Sequence, residues 1–266
     1  MINWVQNLPI GFLIVVVLVG MSIATAAIYA AVMAVAGSPR GPRLQISPGM
    51  LPPMALVFAL LVGFLVAQLW SNVADARTAV NQEAGSLRSV VLLMHAFPRT
   101  SAASMDAFVR EHIDTASQRE WPAMAHQNAS LTVVPKALAG ALDLALSLKP
   151  TTTGQQLAQH EIVTSLQSAL DARRQRIILS QSTVNRIRWT AVIALALLTL
   201  AGIALVHTDN RRNAACAMSI FAAAAAMTIV VIASEDRPFS GPFRITPAVL
   251  LQVLPPQTPA FFLRPK

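Results

Sequence analysis

The sequence predicts an all-α protein: a four-span transmembrane helix bundle with a helical cytoplasmic insert between spans two and three. Three observations carry this. Four apolar stretches fall in two close pairs; the 116 residues from 73 to 188 that separate the pairs are polar and helically periodic; and no period-2 alternation of useful length, nor any internal repeat, competes with helix. A composition that is 55% hydrophobic and only 12% charged agrees with four spans. The chain divides into residues 1–72 with spans one and two, 73–188 as the insert, 189–233 with spans three and four, and a cytoplasmic tail, 234–266.

The stretches run Leu8–Ala36, Met54–Ser71, Trp189–Val206 and Ala214–Ala233, none with a formal charge. Each is at or near the roughly 20 residues that a helix needs to cross about 30 Å of hydrocarbon. Ala34-Val35-Ala36 before Gly37 has the look of a signal-peptidase site. The apolar core ahead of it is much longer than a typical h-region, and no Lys or Arg precedes it, so a retained anchor is expected. The single cysteine, Cys216, lies in span four, which excludes a disulfide framework and a cysteine-built metal site and leaves a small packing residue.

Basic residues near the span ends set the orientation. Arg40, Arg43, Arg211 and Arg212 fall on one side; Arg77, Arg88, Arg173, Arg174, Arg176, Arg186, Arg188, Arg237, Arg244, Arg264 and Lys266 fall on the other. The richer side is expected to be cytoplasmic, so both termini and the whole insert lie inside. The net charge of +8 needs no nucleic-acid partner, because much of the excess sits where positive-inside topology puts it.

Within the insert, Val80, Ala84, Leu87, Val91 and Met94 recur at helical spacing with no break after span two, which predicts one long helix that Pro98 stops. A second helix is expected over Ser101–Gln118, with Met105, Phe108, Val109 and Ile113 apolar and Asp106 in its first turn. A third is expected over Pro135–Leu148, ended by Lys149-Pro150. In the fourth, Val163, Leu166, Leu170, Ile177, Val184 and Ile187 form a seven-residue seam expected to run directly into Trp189 at the bilayer surface. Two cytoplasmic extensions of spans two and three, flanked by shorter helices, suit a stalk that carries force or lines a vestibule.

His95, His112, His126 and His160 lie in the insert, but no two share ligand spacing and no HExxH run is present, so they read as exposed or capping histidines. Phosphate loops, nucleophile elbows and paired cysteines are missing. An enzyme is not expected, nor a bound metal or cofactor.

Three patterns are more informative. In span two, Pro52-Pro53 precede Leu56, Leu60 and Phe64 at i, i+4 spacing, with Gly63 beside Phe64 and Gln68 one turn further inward. Lining a pore, this face would form apolar rings of the kind that gate by dewetting; packed on a neighbour, it would be a helix–helix face with Gly63 permitting close approach. Next, Asn72, Arg77, Glu83, Gly85 and Arg88 follow just inside the membrane, as interface anchors or as interhelical pairs. Last, Glu235-Asp236-Arg237-Pro238-Phe239-Ser240-Gly241-Pro242-Phe243-Arg244 alternates acids, arginines and aromatics with turn formers, which predicts a docked turn after span four.

At these residues the chain resembles the bacterial bestrophin-like membrane proteins: two spans, a helical cytoplasmic insert, two more spans, and an Asp-x-Pro-Phe-x-Gly tail motif matched by Asp236, Pro238, Phe239 and Gly241. Leu61-Val62-Gly63-Phe64 is similar to the Leu-Gly-Phe stretch of the neck helix in true bestrophins, which are pentameric ion channels. There are departures. Arg237 splits Asp236 from Pro238, the long acidic run of calcium-sensing members is missing, and the neck positions are mostly Leu, which together speak against calcium gating.

The resemblance implies a homo-oligomeric, pentameric ion channel of a bacterial inner membrane, with the lipid bilayer, further copies of the chain and small ions as its partners. Leu56, Leu60 and Phe64 would be the hydrophobic neck, Gln68 a polar ring, and Arg211 and Arg212 the outer mouth. The alternative is a non-conducting scaffold or sensor whose insert binds a cytoplasmic partner.

Overall fold

A computed structural model describes residues 10–36, 47–241 and 244–254, and among these residues the regular structure is entirely helical. Helix α1 covers Ile10–Ala36 and α2 covers Leu51–Leu93. A 3-10 turn at Pro48–Met50 leads into α2, with the Ser47 hydroxyl accepting the Gly49 amide. Pro52 and Pro53 sit in the first turn of α2, where a missing N–H breaks no intrahelical bond. α2 then runs unbroken for 43 residues, so the continuous helix expected after span two is present.

The insert continues with α3 at Arg99–Thr115, a π-helical turn at Ala116–Glu120, α4 at Trp121–Ala125, α5 at Lys136–Ser147 and α6 at Thr153–Ser180. Two apolar spans follow, α7 at Arg186–Val206 and α8 at Arg211–Glu235, and then a short α9 at Ala248–Leu251. Four helices, α1, α2, α7 and α8, are long and apolar enough to cross a membrane. The positions expected at residues 1–9, 37–46, 242–243 and 255–266, among them Arg40, Arg43, Pro242, Phe243, Arg264 and Lys266, lie outside the described residues.

Several expectations are corrected. α6 does not run into Trp189. It stops at Ser180, and Asn185 restarts the chain as the N-cap of α7, its side chain accepting the Ile187 amide. Asp106 is not in a first turn, because α3 begins behind Pro98 and places it mid-helix. Cys216 does not pack inside the chain; it is exposed, because Ala214, Met218, Ala222 and Ala225 take the buried positions of α8.

The helices form two compact units, one from the chain up to Val73 and again from Thr183, the other from Ala74–Ser182 and the segment from Arg244 onward. In the first, α1, α7 and α8 pack on one another around Met21, Val192, Leu200, Met218 and Ala226. Phe58 of α2 enters this core, tilted against Phe221 with ring centroids 5.5 Å apart. Leu65, Leu69, Trp189 and Ile232 form a second, smaller cluster.

In the second unit α3 packs on α5 and α5 on α6. The α3–α5 contact is close: a Cβ at Gly140 would lie 2.7 Å from the Phe108 ring, which would have to move aside. The buried positions of α2 here are Ala76, Ala79, Val80, Glu83, Ala84, Leu87 and Val90, with Met94 just past its end. Those of α6 are Ala158, Ile162, Ser165, Leu166, Ala169, Ala172, Arg173, Arg176, Ile177 and Ser180. The α6 seam therefore differs from the apolar one. Leu166 and Ile177 of the expected seam are buried, but Val163 and Leu170 are only half-buried and Ile187 is exposed, and Arg173 and Arg176 take buried positions that hydrophobicity alone would refuse them.

Candidate functional site

α2 has two faces in the first unit. Phe58, Leu65 and Leu69 turn into the core, whereas Leu56, Leu60 and Phe64 are 60%, 51% and 73% exposed. Among the described residues these three make no helix–helix face, and a Cβ on neighbouring Gly63 would meet nothing within 4 Å. The apolar stretch of α2 is only 11% buried, against 44% for α7, so most of its surface is left for lipid or another chain.

One turn beyond Phe64, the Gln68 carbonyl oxygen accepts a hydrogen bond from the Arg188 guanidinium of α7. The neutral position expected there thus carries a cation brought from 120 residues away. Arg211 and Arg212 are exposed in the first turn of α8, where Asn210 caps the Arg212 and Asn213 amides. Asn72 is half-buried and Arg77 exposed.

After α8 the tail folds into a turn. The Ser240 amide donates to the Arg237 carbonyl at 3.2 Å with Pro238 second in the turn, a position its fixed φ suits. Pro238 and Phe239 are buried, and Gly241 adopts φ +83°, a left-handed conformation that favours glycine. Asp236, itself buried, accepts the Val184 backbone amide at 2.7 Å across the gap that α6 and α7 leave between them.

The second unit holds a buried polar cluster that the spacing of its residues did not announce. Arg176 grips Glu83 through Nε to Oε2 at 2.8 Å and Nη2 to Oε1 at 3.1 Å, and its Nη2 also reaches Glu120 Oε2 at 2.8 Å. Arg173 donates to the other Glu120 oxygen. His112 Nε2 lies 2.8 Å from Glu83 Oε1, and the Trp121 ring covers the Arg176 guanidinium at 4.4 Å. Trp121 also donates its indole N–H to the Ile245 carbonyl. Glu120, the last residue of the π-helical turn, and Trp121, the first of α4, are adjacent in sequence and meet the same arginine.

His112 is therefore neither exposed nor capping; it is 3% exposed and bound to Glu83, whereas His95, His126 and His160 are exposed. Burial alone would raise the Glu83 carboxyl pKa, but Arg176 and His112 outweigh it and hold the group below its ordinary range. Arg176 is pushed the other way: burial disfavours its charge, and Glu83 and Glu120 more than restore it. Two carboxylates face two guanidiniums, and the geometry is that of a clasp joining α2, α3, the π turn and α6. Among the described residues no group of three or more His, Cys, Asp or Glu is placed to hold a metal. The missed signal was a charge of opposite sign on each of two heptad seams, Glu83 on one and Arg173 and Arg176 on the other.

Comparison with known proteins gives one family, described as Bestrophin-like domain, which matches residues 15–250. No curated protein matches the chain. Three crystal structures of a bacterial Bestrophin homolog from Klebsiella pneumoniae, each a point variant, share the fold. Their TM-scores are 0.70, 0.68 and 0.66 at 9%, 10% and 11% identity, over 91%, 91% and 90% of this chain and 97%, 96% and 95% of theirs.

Proposed function

This chain belongs to the bestrophin-like family, and from that premise we propose that it is a channel for small ions that assembles as a pentamer in the bacterial inner membrane, with the insert and both termini in the cytoplasm. The observation that carries the reading is the unfilled face of α2. Leu56, Leu60 and Phe64 are large apolar side chains that the single chain leaves exposed beside Gly63, on a helix with little intramolecular cover. Five copies around an axis would turn that face into a stack of apolar rings, a constriction that conducts only when wetted. Arg211 and Arg212 would stand at its outer mouth, and Asn72, Arg77 and the tail motif at its inner side.

The test combines mass and flux. Light scattering of the purified protein should give five chains, and liposomes containing it should pass a small ion. Replacing Leu56, Leu60 and Phe64 together by Ala should raise that flux. A monomer or dimer, or a folded protein in which neither form conducts, would instead favour a scaffold or sensor acting through its insert.

A further inference from the structure

We infer that Arg188, fastened to Gln68, is the residue that sets the sign of the permeating ion and favours small anions; this rests on the pore reading of the α2 face. From Leu51 to Val73 α2 carries no formal charge, so the face cannot discriminate by charge with its own residues. The hydrogen bond to the Gln68 carbonyl changes that. Gln68 follows Phe64 by four residues, about 6 Å of helix rise, and Arg188 is itself exposed there. A guanidinium has five N–H donors and keeps its charge at any working pH, so an arginine tethered by one contact still offers several donors to an anion. Repeated on every copy around an axis, the contact would make a cationic ring directly beyond the apolar constriction, where low-dielectric walls strengthen its field.

The competing charge is Asp75. It lies seven residues past Gln68 on α2, about 10.5 Å further along the helix, and is exposed. Arg188 is bonded to Gln68 itself, one turn from Phe64, whereas Asp75 stands about two turns further along α2.

Reversal potentials of proteoliposomes under a sodium chloride gradient decide the matter. The wild type should favour chloride over sodium. Arg188→Gln should move the ratio toward unity, and Arg188→Glu should lower it by roughly tenfold or more, as expected for reversing a charge a few ångströms from the ion. Gln68→Leu, which keeps the charge but removes its tether, should weaken selectivity less than Arg188→Gln. In a Cys216→Ala background, Arg188→Cys modified with a trimethylammonium thiosulfonate should regain chloride preference, and a sulfonate reagent should not restore it. If the wild type prefers sodium, or if Asp75→Asn and not Arg188→Glu moves the ratio while the triple-Ala neck variant still changes flux, the Arg188 inference fails and the pore reading stands. If neither the wild type nor the triple-Ala variant conducts, the pore reading fails and this inference with it.

Discussion

Glu83 and Arg176 meet side-on, through hydrogen bonds of 2.8 and 3.1 Å, with both side chains wholly withdrawn from solvent although they stand 93 positions apart in the chain. Removing two charges from water costs several kcal/mol per ion, and their attraction repays it only when the remaining donors and acceptors are also satisfied. Here Glu120, Met124 and the Trp121 ring meet the rest of the guanidinium, and His112 meets the carboxylate.

Removing one partner should therefore cost far more than the pair contributes net. Glu83→Gln leaves a buried guanidinium facing a neutral amide and is expected to destabilise the protein by about 3–5 kcal/mol. The double change Glu83→Leu with Arg176→Met should be less destabilising than the sum of the single changes, since no orphaned charge remains on that contact. Denaturant melts in detergent measure both. A Glu83→Gln variant as stable as the wild type would remove the clasp from the account of the fold.

The same pair predicts a pH window. Glu83 lies beyond the apolar stretch of α2, and its folded pKa is held below the ordinary value of 4.5. A depressed carboxyl contributes stability that is fully present above about 4.5 and is lost as pH falls through the lower folded value. The melting temperature should thus show no Glu83-dependent change between neutral pH and about 5, then fall more steeply in the wild type than in Glu83→Gln below 4.5. Parallel curves for the two proteins would show that the carboxyl titrates normally.

The unequal legibility of the chain has a physical origin. The spans and the long α2 were readable because a bilayer demands continuous apolar length, and α5 because Pro135 and Lys149-Pro150 bracket it. Leu166 and Ile177 of the α6 seam are buried as expected, but Arg173 and Arg176 also stand inside where periodicity looks for leucine, and only Glu83 and Glu120, distant in sequence, make those positions tolerable. His112 was lost for the same reason: its partner lies on another helix, so local spacing carries no trace of it. The gap before α7 escaped because its stabiliser, Asp236, comes from beyond α8.

That contact gives a third prediction. Asp236→Ala removes the acceptor of the half-buried Val184 amide and should cost about 1–3 kcal/mol. Asp236→Asn keeps an oxygen in place and should lose less. Gly241→Ala should also destabilise, by about 1–2 kcal/mol, because its φ of +83° strains any side-chain-bearing residue. Thermal melts of the three variants, with elution volume as a check on assembly, should follow this order, and an Asn variant as damaged as Ala would show that the hydrogen bond is not what holds the turn.

Orientation can be tested without any assay of conduction. Arg77 and Arg88 beyond the apolar part of α2, and Arg186 and Arg188 at the start of α7, put the positive charge on the side of the insert, and the positive-inside rule then predicts that this side is cytoplasmic. Thr153 is exposed at the start of α6, next to the capping Thr152 hydroxyl, so a cysteine placed there is accessible without removing the cap. Since Cys216 is exposed as well, the experiment needs a Cys216→Ala background. A membrane-impermeant maleimide should then label Thr153→Cys in inverted vesicles and permeabilised cells and leave intact cells unlabelled. Efficient labelling from outside intact cells would place the insert across the membrane from its expected side, and the inner and outer mouths assigned to Arg188 and to Arg211 and Arg212 would exchange places.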